Sequence, residues 1–180
     1  MNILITILLV IAGFIVLLLL IALFVKKEYD VNREIIIDAP LQKVFDYVKF
    51  LKNWDNFSEG AMVDTGRKRE FRGTDGTVGF IYAWSGNKSA GEGEKEIISI
   101  VEGKKIEVEI RFVKPFVAIG LSSLVTEPVS DTRTKVIFGN KSKLKYPLNI
   151  LIPMVEKGLV KGLDESLLRL KNTLEKDSKI

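Results

Sequence analysis

The chain contains neither cysteine nor histidine in its 180 residues. Without cysteine there are no disulfides, no thiol nucleophile and no thiolate metal site, although the compartment stays undecided. Without histidine, Ser-His-Asp and Cys-His catalysis and ordinary zinc coordination are excluded as well. General acid–base work would fall to carboxylates, lysines or tyrosines with shifted pKa values. No paired-carboxylate spacing and no metal loop stands out, so no catalytic residue, metal ligand or cofactor is assigned. The expectation is a domain that binds something rather than transforms it. The net charge of +4 is a mild excess, far from the clustered charge of a nucleic-acid binder.

Charge is also missing from one long stretch. Ile3 to Val25 carries no charged side chain, and only Thr6 and Gly13 interrupt its apolar run. As a helix at about 1.5 Å per residue it spans about 34 Å, enough for a hydrocarbon core of about 30 Å. A cleaved signal peptide would need a basic start, a shorter run and a small-residue cleavage site. Only Asn2 stands between Met1 and the run, and Leu23-Phe24-Val25 is a poor cleavage context, so an uncleaved anchor is expected over residues 1–27. Lys26 and Lys27 follow the run and no basic residue precedes it, which by the positive-inside bias places the rest of the chain in the cytoplasm. Residues 28–180 form one domain, long enough to bury a core.

Tyr29 to Ile37 has the β-branched character of a strand. Asp38-Ala39-Pro40 then starts a helix, read through LQKVFDYVKFLKNW on a stripe of Leu41, Val44, Phe45, Val48 and Leu51, and ended by polar Asp55 to Gly60. Ala61 to Arg72 reads as a polar, exposed strand. Gly73 to Gly76 is a turn. Thr77 to Trp84 follows, with Val78, Phe80, Tyr82 and Trp84 on one face. Gly91 to Val101 is the next strand. Lys104 to Val113 alternates most clearly, with Ile106, Val108, Ile110 and Phe112 on one side. Phe116 to Thr126 and Thr132 to about Ser142 complete the run, the last with Val136 and Phe138 inward. After Pro147 the period changes. Leu148, Leu151, Ile152, Val155, Leu159, Leu163, Leu167, Leu170 and Leu174 describe one long amphipathic helix with a continuous apolar face. A curved antiparallel sheet must cover its apolar side, and this helix is the element large enough to do so. The class is α+β.

Several of these pieces resemble the SRPBCC superfamily, the START-like, Bet v 1-like helix-grip group that includes polyketide cyclase/dehydrase-type proteins. They are Ala39-Pro40 with Val44 to Val48, Leu51 to Trp54, Gly73 to Gly79, Trp84 to Lys88, Gly91 to Gly93, Lys114 to Phe116 and Thr134 to Val136. The resemblance covers Glu28 to the C-terminus, and resembles most the branch that begins with a single apolar helix. It implies about seven strands gripping the C-terminal helix, two short helices closing one end, and an elongated apolar cavity for a lipid or other hydrophobic small molecule. Relatives often continue the LKNW segment with a further Trp and Pro. Asn56-Phe57-Ser58 stands here instead, which puts the ligand or partner in doubt.

Candidate cavity residues are Val78, Phe80, Tyr82, Trp84, Val108, Ile110, Phe112, Leu124, Val136, Phe138, Val155, Leu159 and Leu163. The same side chains would equally serve a filled core. A membrane-tethered carrier of a hydrophobic ligand is the first expectation. A cyclase-type enzyme is the second, with Tyr82, Glu92 or Glu94 as proton-transfer groups and a buried carboxylate of raised pKa as its signature. A ligand-free module docking a membrane protein is the third. Gly73-x-x-Gly76-x-x-Gly79 lies between strands, so it is turn chemistry rather than a phosphate loop, with Gly79 serving a close backbone approach. Gly158 and Gly162 are expected to let the long helix pack closely, the alternatives being ligand room or a bend. On the strand after Pro115, the larger Val117, Ile119, Leu121 and Val125 are expected inward, leaving Ala118, Gly120, Ser122 and Leu124 to solvent. Arg67-Lys68-Arg69 with Arg72, and Lys141, Lys143 and Lys145, are basic clusters within reach of an anionic leaflet.

Overall fold

A computed structural model describes residues 2–115 and 117–176. Helix α1 (Ile3–Phe24) is followed by β1 (Glu28–Ile37), α2 (Leu41–Lys49), a 3-10 turn (Leu51–Asn56) and the single-turn α3 (Glu59–Met62). Six strands come next: β2 (Lys68–Arg72), β3 (Ile81–Ser85), β4 (Glu92–Val101), β5 (Lys105–Lys114), β6 (Ala118–Ser130) and β7 (Arg133–Lys143). A 3-10 turn (Leu148–Leu151) leads into α4 (Ile152–Lys176). The strands form one seven-stranded antiparallel sheet in the order β1-β7-β6-β5-β4-β3-β2. Helix α4 lies across β1 and β7, and α2 packs on β6 and β7. The α+β expectation of a sheet wrapped around the C-terminal helix is what the chain adopts.

Helix α1 is long and apolar enough to cross a membrane, with mean hydropathy 3.4 in its most apolar window. Nearly all of it is exposed; Ala22 is the exception. Its end is held by the domain. The buried Asn149 side chain donates to the carbonyls of Ala22 (2.6 Å) and Val25 (2.8 Å), two of the groups a helix end leaves unanswered. Lys26 pairs with Glu156 at 2.6 Å, and Leu144 N–H donates to the Lys27 carbonyl.

The helix expected through Trp54 breaks at Phe50, whose backbone is extended. The cause is not local in sequence. Asp75, in the turn after β2, accepts the backbone N–H groups of Leu51 (2.8 Å) and Lys52 (3.1 Å) and so caps a new 3-10 turn. The Asn53 and Trp54 side chains answer the freed α2 carbonyls of Tyr47 and Val48, each at 2.8 Å. Val44, Phe45, Val48 and Leu51 are all buried, as their spacing requires. Each such side chain contributes about 1.5–3 kcal/mol on leaving water.

Other expectations also need correction. Ala61 to Arg72 is strand only from Lys68, because Ala61 belongs to α3; Arg67 is buried, its guanidinium bonded to Gly60 and Asp55. Val78 is not on a strand. Gly73, Gly76 and Gly79 all have positive φ (87°, 79° and 86°), so residues 75–79 are a turn that leaves Val78 60% exposed. A Cβ on Gly79 would meet nothing within 4 Å, so its φ and not a close approach selects glycine. On β6, Ser122, Leu124 and Thr126 are buried, whereas Val117 and Ile119 are 84% and 58% exposed, so the small set faces inward. The strand expected from Phe116 is observed from Ala118, and Phe116 itself lies outside the described residues. Finally, Leu148 and Leu151 sit in the 3-10 turn rather than on the stripe of α4, and both are exposed.

Candidate functional site

The packing divides α4 into two halves. Leu167, Leu170 and Leu174 are at most 1% exposed and close one end of the core with α2. Toward the other end, Val155, Gly158, Leu159 and Gly162 face a cavity of about 660 Å3 bounded by the sheet, α3 and α4. That volume falls within the range of about 300–1,000 Å3 typical of small-molecule sites. A Cβ on Gly158 would meet nothing within 4 Å, and one on Gly162 would meet only the Glu59 side chain at 3.4–3.7 Å. The glycines therefore leave room beside the sheet and do not pull α4 onto it, against the expectation of close packing. In the sheet Gly93 does answer to close packing: a Cβ there would come within 2.5 Å of the Arg111 carbonyl oxygen and 2.8 Å of the Trp84 ring, which packs edge-on against Phe112 at 5.8 Å.

Seven of the thirteen sequence candidates line this cavity: Trp84, Ile110, Phe112, Phe138, Val155, Leu159 and Leu163. Phe80, Tyr82, Val108, Leu124 and Val136 are buried in the filled part of the core. Val78, in its turn, faces solvent. Glu92 and Glu94 belong to neither. Glu92 pairs with Lys114 at 2.7 Å, and Glu94 pairs with Arg72 and Arg111. Arg111 and Arg72 hold the Glu94 carboxyl below its usual range, the reverse of the raised pKa that a buried proton donor needs.

A polar cluster stands beside the inner wall. The sequence offered Tyr82 as a cavity or proton-transfer residue and Arg67 and Arg69 as a basic cluster, and passed over Asp55 and Lys95. Arg67 donates through Nη2 to Asp55 (2.8 Å) and Tyr82 Oη (2.9 Å), and through Nη1 to the Gly60 carbonyl (2.9 Å). Arg69 Nε donates to the other Asp55 oxygen at 2.8 Å. Tyr82 Oη donates to Asp55, and burial pushes its pKa up. Lys95 lines the cavity beside this cluster, its ammonium 5.6–5.7 Å from the ring centres of Trp54, Tyr82 and Trp84. Burial, reinforced by the nearby Arg67 charge, lowers its pKa to about 8. The signal for Lys95 was present in the alternation of β4, where Gly93, Lys95 and Ile97 share the inward face. Arg67 and Asp55 sit on irregular segments and gave no such signal.

Several solved structures share this architecture. Norcoclaurine synthase from Thalictrum flavum, solved with dopamine and hydroxybenzaldehyde, superposes with a TM-score of 0.62 at 14% identity, over 82% of this chain and 87% of that one. A protein from Nitrosospira multiformis does so with a TM-score of 0.57 at 19% identity, over 84% and 100%. The di-domain ARO/CYC protein StfQ of the steffimycin biosynthetic pathway gives a TM-score of 0.64 at 10% identity, over 86% of this chain and 53% of that one. The chain has the helix-grip fold. At these identities the likeness is one of fold, and the helix-grip scaffold hosts more than one activity. No protein-family model matches the sequence, and no curated protein matches it.

Proposed function

We propose that this chain is a membrane-anchored helix-grip domain that holds a hydrophobic small molecule or lipid between its sheet and α4. The observation that carries this reading is the cavity itself, left open where the apolar stripe of α4 passes Gly158 and Gly162. An apolar ligand partitions into a bilayer, so a carrier fixed at that surface shortens both capture and delivery. The anchoring supports it: α1 leaves the domain through a hydrogen-bonded joint at Asn149. Exposed Leu148, Leu151 and Met154 flank Asn149 in the chain. Lys141, Lys143 and Lys145 are exposed beside the same joint and suit an anionic leaflet. Lys143 also pairs with Glu28 at 3.0 Å. In the other basic cluster Arg67 is buried and Arg69 and Arg72 are paired with carboxylates, which leaves Lys68 exposed. The positive-inside bias of Lys26 and Lys27 assigns the domain to the cytoplasmic side.

Docking of a membrane protein on the outer sheet face is the second reading. It is favoured by the exposure of Val113, Val117 and Ile119, which border a groove of about 730 Å3 there. One experiment separates the two. The full chain, purified in lipid nanodiscs, is analysed by native mass spectrometry beside the variant Gly158→Trp, which adds an indole to the cavity lining at a position where a Cβ meets nothing within 4 Å. An apolar species retained by the parent and lost in the variant is the expected result. No retained species, or equal retention by both, refutes the cavity reading.

A further inference from the structure

The inner wall of the cavity carries more positive charge than the protein neutralises. Lys95 stands on the inward face of β4, in register with Tyr82 of β3 and Ile110 of β5. Its ammonium is framed by the rings of Trp54 (5.7 Å), Tyr82 (5.6 Å) and Trp84 (5.7 Å). Ring faces attract a cation without supplying a counter-ion. Among the described residues no carboxylate pairs with Lys95. The nearby Asp55 is committed to Arg67, Arg69 and Tyr82. Arg67 is itself incompletely satisfied, since its Nε is buried and has no hydrogen-bond partner. A buried donor left in this state is costly, and the Arg67 charge adds to the positive potential around Lys95. The acidic lining residues Glu59 and Glu165 belong to the helical wall, and Glu165 is bonded to Arg169 at 3.2 Å.

We propose that the cavity takes a carboxylate-bearing amphiphile, its carboxylate held by Lys95 and its apolar body laid along Ile110, Phe112, Val155 and Leu159. This rests on the ligand-binding reading above and names the class of ligand. Lys95 supplies a cation that no carboxylate of the described residues pairs with, and the remaining wall is mainly apolar. With its pKa at about 8, Lys95 is mostly protonated at neutral pH, and an adjacent anion raises that pKa and fixes the charge.

Trp54 and Trp84 are the two tryptophans of the chain, and both frame Lys95, so their fluorescence reports on the site. The full chain in phosphatidylcholine nanodiscs is titrated with dibromostearate, whose bromines quench indoles, and with its methyl ester. The acid is expected to quench saturably and to bind at least about tenfold more tightly than the ester, the worth of one charge-assisted hydrogen bond. Lys95→Met is expected to bring the acid down to the affinity of the ester and to leave the ester unchanged. Acid binding should weaken above about pH 8 as Lys95 loses its proton. If acid and ester bind the parent equally, or if the variant binds the acid as tightly as the parent, the carboxylate assignment falls and the cavity reading stands. Saturable quenching by neither probe overturns the cavity reading together with the assignment.

Discussion

Replacing Lys95 by methionine is expected to make the ligand-free protein more stable. Holding this amine at about 8, against an ordinary 10.5, corresponds to about 3 kcal/mol of destabilisation at neutral pH. The three rings at 5.6–5.7 Å return about 1–2 kcal/mol of cation–π attraction, and a methionine sulfur recovers part of that against the same rings. The variant therefore gains about 1–2 kcal/mol, or about 3–6 °C in Tm for a domain of this size. Below about pH 8 the lysine is protonated in both folded and unfolded chains, so the gap is constant. Between about 8 and 10.5 the folded chain loses this proton while the unfolded chain keeps it. The parent then gains stability as pH rises, and the gap closes. Thermal melts of the full chain and the variant in nanodiscs, from pH 6 to pH 10, measure both effects. A variant less stable than the parent at pH 7, or a gap that does not shrink toward pH 10, refutes the claim that Lys95 is held against its solvation.

Two further perturbations test how the site is supported. Asp75→Ala removes both backbone caps at Leu51 and Lys52 and is expected to cost about 1–2 kcal/mol; an unchanged Tm would show that the 3-10 turn carrying Trp54 does not depend on this carboxylate. Asn149→Ala leaves the Ala22 and Val25 carbonyls unanswered and should cost about 1–3 kcal/mol at the joint. It should speed tryptic cleavage after Lys26 and Lys27, and a cleavage rate equal to the parent's would mean that α1 is a loose tether.

Much of the fold was written in local periodicity. The two-residue alternation of Ile106 and Val108 and the three-and-four spacing of Leu163, Leu167, Leu170 and Leu174 each state a buried face directly, and all six residues are at most 3% exposed. What periodicity misjudged was set at a distance or by backbone sign. Phe50 breaks α2 because Asp75, 24 residues beyond Leu51, supplies the cap. Val78 continues the alternation of Phe80, Tyr82 and Trp84, yet Gly79 at φ 86° turns the chain before it can join β3. On β6 both faces carry apolar residues, so the pattern could not choose between them. The bulky Leu121 and Val125 face outward because the register with Leu124 and Ser122 points the smaller set at the helix.

The site was less legible than the fold because a cavity is made by what is absent. The stripe of α4 reads the same at Leu159 as at Leu167, but Leu167 is buried within the packed core, whereas Leu159 is only partly buried against it and borders the cavity beside Gly158. No binary pattern distinguishes a leucine that fills a core from one that borders a void. Charge is a better guide, because an ionised side chain on an inward strand position demands an explanation that an apolar one does not. Lys95 is that residue. Its neighbours along the inward face of β4 are Gly93 and Ile97, both buried, and a lysine between them is a cost to folding with no compensating ion pair among the described residues. That unpaired charge in the cavity wall is the ground for proposing that its acceptor is carried by a ligand.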